Sequence, residues 1–165
     1  FEMFLKIEKE TNGDHWAQYL LGGCYEDGHG TDQDYNKGFE FFTKSAEQGN
    51  SCAMNNLGVA HENGWGCEKD LSKTFAMFER SANVGNGYGI VNMSLCYRHG
   101  DGVEKNSQEE HLWRSKAQEQ GLRVPNDHNW YDETTKQTHD KIRKTRFLLH
   151  GCGLAHIFGH SFNLI

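Results

Sequence analysis

The sequence predicts an all-α protein, an α/α solenoid of helix–turn–helix repeats, and three observations carry that reading. Anchor residues recur at a fixed offset of 36. Within each copy, small and apolar residues fall at helical spacing. Glycines mark where a helix must stop, and Asp or Asn marks where the next must start.

The register is direct. Ala17, Ala53 and Gly89 align, as do Leu21, Leu57 and Met93, then Gly22, Gly58 and Ser94, then Tyr25, His61 and Tyr97. The turn glycines recur as Gly28 and Gly30, Gly64 and Gly66, Gly100 and Gly102. Asp34, Asp70 and Asn106 follow, and Gly49, Gly85 and Gly121 close the copies. Three units result, 14–49, 50–85 and 86–121. Gly13 lies one period before Gly49, so 1–13 is expected to be the second helix of a truncated preceding repeat, with the solenoid continuing past that end.

In each unit the first helix, His15 to Asp27 in copy one, sets Ala17, Leu21 and Cys24 on one face at i, i+4 and i+7. Gly22 and its equivalents lack a side chain where the partner helix must come close. Gly28, Gly64 and Gly100 should end that helix in the left-handed conformation, which glycine adopts without steric cost. Asp34, Asp70 and Asn106 each offer a side-chain oxygen to the free N–H groups opening the second helix. Asn106 and Glu109 have capping-box spacing. The second helix carries Phe39, Phe41 and Phe42, then Phe75, Met77 and Phe78, then Trp113, toward its neighbour. Ala46, Ala82 and Ala117 follow where packing must be tight. Aromatics at this spacing read as core, not as a cofactor site.

After Gly121 the frame stops, with Pro125 where a small residue would align. Segment 122–165 is therefore a non-repeat C-terminal segment. Asp127 to His150 suits a capping helix with an apolar stripe of Trp130, Ile142 and Phe147, weakened by Thr134, Thr135 and Thr138. A flexible tail, 151–165, completes it.

Composition narrows function. A mean hydropathy of -0.81 is low for a globular core but suits a stack with two solvated faces. From 1 to 121 there are 19 acidic against 11 basic residues, a balance of -8, while 122–165 has 4 against 6, or +2. An acidic repeat region disfavours nucleic acid and anionic membrane and suits basic or amphipathic protein segments. No apolar run is long enough to span a membrane. The five cysteines form no CxxC and no dense even framework, which favours a reducing compartment such as the cytoplasm over the endoplasmic-reticulum lumen or secretion. Cys24 and Cys96 share a repeat position with Ala60, as a small buried residue would.

The residues offer little chemistry. His150, Cys152, His156 and His160 cluster, but Gly151, Gly153 and Gly159 weaken the helix that would align them, so no metal is expected. No GxSxG, HExxH or GxxxxGK[ST] motif occurs. The Gly-x-Gly of the turns recurs in every copy and reads as loop architecture. No catalytic residue and no cofactor are expected.

The stretches AQYLLGGCYEDGHGTDQDYNKGFEFFTKSAEQGN (17–50) and AMNNLGVAHENGWGCEKDLSKTFAMFERSANVGN (53–86) resemble the Sel1-like repeat family, relatives of tetratricopeptide repeats. GIVNMSLCYRHGDGVEKNSQEEHLWRSKAQEQG (89–121) diverges further. His61, Ser94, Arg114 and Gln118 depart from the family pattern. The resemblance implies a right-handed superhelix whose concave face assembles protein complexes or holds peptides. One bacterial branch, credited with β-lactam binding or hydrolysis, carries paired cysteines in each repeat, and this chain does not.

The related helix register puts Tyr19, Gly23 and Glu26 on that concave face, with equivalents Asn55, Val59 and Glu62, then Val91, Leu95 and Arg98. They share one helical face and vary between copies while packing positions repeat, as expected of a surface free of stacking. One aromatic, aliphatics, asparagine and charged ends suit a peptide segment. The chain therefore reads as a non-enzymatic scaffold or adaptor for a protein or peptide partner, or else as a structural spacer within a larger repeat protein.

Overall fold

The computed structural model describes residues 1–124, which form one compact unit of seven helices with no strand among the described residues. In chain order they are α1 (Glu2–Glu10), α2 (His15–Asp27), α3 (Tyr35–Glu47), α4 (Ser51–Asn63), α5 (Leu71–Asn83), α6 (Gly87–His99) and α7 (Ser107–Glu119). α2 packs on α3, α4 on α5 and α6 on α7, and successive hairpins join through α1–α2, α3–α4 and α5–α6. The proposed C-terminal capping helix, the tail and the histidine cluster lie outside the described residues.

Local chemistry sets the boundaries. Gly28, Gly64 and Gly100 end the first helices at φ of 71°, 75° and 81°, in the left-handed region. The second turn glycine allows close approach instead. A side chain on Gly66 would collide with the Tyr35 carbonyl, and one on Gly102 with that of Leu71. Each turn thus seats against the second helix of the preceding hairpin.

Asp34 and Asp70 cap α3 and α5 by accepting from the N–H of Lys37 and Lys73. Those bonds hold both carboxyls below the usual carboxylate range. Asn106 accepts from Gln108 and Glu109 N–H, but its own N–H donates to the Tyr97 carbonyl. That bond replaces the reciprocal half of a capping box. Asp34 and Asp70 N–H donate in the same way to Tyr25 and His61, so the contact belongs to the repeat.

The core runs along the hairpin seams. Ala17, Leu21, Cys24, Ala53, Leu57, Ala60, Met93 and Cys96 are all buried. Burial pushes the Cys24 thiol up, and with Asp101 and Glu62 nearby the Cys96 thiol is pushed up to about 12. Both are packed thiols. A methyl group on Gly22 would lie 2.6 Å from the Phe42 ring, and one on Gly58 2.5 Å from Phe78. Ring against bare helix backbone is how these two hairpins close.

Ser45 and Ser81 are fully buried and donate to the His15 and Ser51 carbonyls at 2.6 and 2.8 Å. Ala117 is their counterpart in copy three, while Gln118 takes the place of Ala46 and Ala82.

Candidate functional site

The candidate site is the face built by α2, α4 and α6, the first helices of the three hairpins. The residues that cap their starts were not anticipated from sequence. Asp14, Asn50 and Asn86 cap them, each accepting from two backbone N–H groups. Asn50 also meets His15 Nδ1 at 3.2 Å, and Asn86 donates to Ser51 Oγ at 3.4 Å. One residue therefore both starts a helix and ties it to the preceding one. The readable signal was its recurrence every 36 residues, directly after a closing glycine.

The nine expected face positions do not form one open surface. Tyr19, Gly23, Val59, Glu62 and Arg98 are half-buried, whereas Glu26, Asn55, Val91 and Leu95 are buried. Variation between copies therefore does not by itself mean freedom from packing, and the expectation that all nine escape stacking is corrected. Residues can vary because their partners vary with them.

Arg98 is the clearest case. It donates to Glu110 Oε1 at 2.7 Å, and Arg114 donates to the same oxygen through two nitrogens, at 2.9 and 2.6 Å. Glu110 stands where the earlier copies have Gly38 and Thr74, and Arg114 where they have Phe42 and Phe78. Asn55 is fixed similarly: its Oδ1 accepts from Asn92 Nδ2 at 2.9 Å, bridging α4 and α6. Asn92 belongs to a set with Leu20 and Asn56, all half-buried, which no sequence signal marked as part of this face.

Open space remains on α2 at Gly23. Nothing lies within 4 Å of where a Gly23 side chain would begin. Tyr19 borders that space, its ring packed on Phe42 at 5.9 Å and edge-on to Trp16 at 6.0 Å. Glu62 lies on α4. Burial raises the Glu62 carboxyl, the Asp101 carboxylate adds to the rise, and Lys69 opposes it. The face offers an aromatic edge, a gap over glycine, aliphatic surface, amides and a carboxylate.

Among the described residues no three His, Cys, Asp or Glu side chains converge as metal ligands. Among those same residues no helix is long and apolar enough to cross a membrane.

The family model described as Sel1 repeat matches residues 17–50, 53–86 and 87–109. Among solved structures, the chain resembles a protective antigen of uropathogenic Escherichia coli strains that displays an SLR fold. That match has 32% identity and a TM-score of 0.69, covering 73% of this chain and 25% of that one. It also resembles a Sel1 repeat protein from Oxalobacter formigenes at 28% identity and a TM-score of 0.61, covering 64% of this chain and 43% of that one. The chain thus spans less than half the length of either structure. No curated protein sequence matches it.

Proposed function

This chain belongs to the Sel1 repeat family, and we propose that it is a non-enzymatic scaffold that holds an extended protein segment across α2 and α4. Sel1 repeat proteins generally mediate protein–protein interaction. The observation carrying the reading here is the open space over Gly23 on α2, one helical turn from the Tyr19 ring. A rigid ring beside open backbone takes a side chain of the bound segment at little entropic cost. Asn92, half-buried and held by Asn55, adds an amide suited to a peptide backbone. The acidic balance of the repeats favours a segment carrying Lys or Arg.

Two changes, one on α2 and one on α4, provide the test. Gly23→Arg adds a long side chain into open space and improves helix propensity. Val59→Lys adds a second cation on the neighbouring helix. In affinity purification with mass spectrometry, the Gly23→Arg/Val59→Lys chain is expected to lose the partners captured by the parent while keeping its melting temperature. Unchanged capture would favour a spacer role. Tyr19→Ala with Asn55→Ala is a poorer probe, because Tyr19 packs on Phe42 and Asn55 bonds to Asn92, so it costs stability as well.

A further inference from the structure

The middle copy departs from its neighbours at two positions that touch. His61 stands where the other copies have Tyr25 and Tyr97, and Cys67 where they have Thr31 and Val103. The end of α4 and the turn after it bring the pair together, with Cys67 Sγ 3.4 Å from His61 Nδ1. With the ring proton on Nε2, Nδ1 accepts from the thiol.

Packing that the repeat already uses holds the imidazole. His61 meets Phe39 of the preceding hairpin edge-on, centroids 5.3 Å apart at 84°. Tyr97 meets Phe75 in the same way, at 5.5 Å and 86°. The turn is held as well: Asp70 N–H donates to the His61 carbonyl at 2.9 Å, and Gly66 seats against Tyr35. Cys67 is half-buried and free of any disulfide.

We propose that Cys67 and His61 form a thiol-modification site that captures a low-molecular-weight disulfide. His61 Nδ1 takes the Cys67 proton as the sulfur bonds to one sulfur of the incoming disulfide. The disulfide's own S–S bond breaks, and its electron pair leaves on the departing sulfur, which receives the proton from His61. The protein thiol is oxidised to a mixed disulfide, and one small thiol is released.

The surroundings explain why a base is required. Burial pushes the Cys67 thiol up, Lys73 opposes that rise, and Asp70 adds to it. At neutral pH the sulfur therefore keeps its proton, and the thiol is the weaker nucleophile of the two forms. The charged groups acting on Cys67 are Lys73, in the first turn of α5, and Asp70, at the end of the turn, while α3 sets the Phe39 ring against His61. The adduct forms beside the His61–Phe39 contact, at the joint between copies one and two.

The other copies provide variants that the fold already accepts. In the full chain carrying Cys52→Ser and Cys152→Ser, dithionitrobenzoate serves as an aromatic disulfide probe. Intact mass and peptide mapping are expected to place one adduct on Cys67, and Cys67→Thr takes none. His61→Tyr is expected to slow the reaction at pH 7 about tenfold or more. In urea both chains should react at one rate, so a difference in buffer reports the folded pair. Equal rates in buffer, or an adduct on another cysteine, would overturn the proposal. The readout is independent of partner capture, so it survives or fails separately from the scaffold reading.

Discussion

Copies one and two close their hairpins by setting a phenylalanine ring against a glycine, Phe42 on Gly22 and Phe78 on Gly58. Copy three has Ser94 and Arg114 at those positions, with Glu110 joining Arg114 to Arg98. Yet all three hairpins use 13-residue helices, a left-handed glycine after the first and an Asp or Asn before the second. Caps and turn glycines therefore fix where helices begin and end, whatever fills the seam between them. The filling sets how the seam tolerates change.

The largest effect should follow from filling the glycine seam. Gly22→Leu forces the Phe42 ring from its place and is expected to cost about 3 kcal/mol in urea denaturation. Ser94→Ala, at the equivalent position of copy three, is expected to cost less than about 1 kcal/mol, because its hydroxyl makes only a long contact of 3.4 Å to the Glu110 carbonyl. Equal losses would erase the distinction between the seams.

Breaking the ionic seam should rank next. Glu110→Ala removes the carboxylate that both guanidinium groups share and is expected to cost about 2 kcal/mol. Rebuilding the seam of copy two instead, with Ser94→Gly, Arg98→Glu, Glu110→Thr and Arg114→Phe together, should leave stability within about 1 kcal/mol of the parent or raise it. A large loss in the rebuilt chain would mean that copy three needs its charges.

A smaller effect separates Glu62 from its ion-paired counterpart Arg98. A raised carboxyl favours the protonated form in the fold, so that contribution is fully present below the ordinary glutamate range and lost as pH rises through the raised value. Glu62→Gln mimics the protonated form. Its melting temperature should exceed the parent's by about one or two degrees at pH 7, and the two should converge below about pH 4. A constant difference across that range would point to a cause other than charge.

Much of the fold was legible because its signals are local. An offset of 36 aligned glycine with glycine, and a left-handed glycine ends each first helix. The caps Asp34, Asp70 and Asn106 followed from side-chain chemistry at a fixed spacing. The candidate site was less legible because exposure depends on partners remote in sequence. Asn55 looked variable but answers to Asn92, 37 residues on, and Arg98 answers to Glu110. Val91 and Leu95 share the register of Tyr19 and Gly23 yet are buried. The pairing of His61 with Cys67 was visible as two substitutions in one copy, but only the turn geometry joins them.

If the face of α2 and α4 holds the partner, contact should be confined to that face. Site-specific photo-cross-linking reads this out, with a photoreactive residue placed in turn at Gly23 and Val59 on that face and at Glu40 and Glu79, exposed on α3 and α5. In extract of the native host, positions 23 and 59 are expected to yield the same covalent partner and positions 40 and 79 none. Cross-links from 40 and 79 alone would contradict a groove on the first helices and move the binding surface to the second.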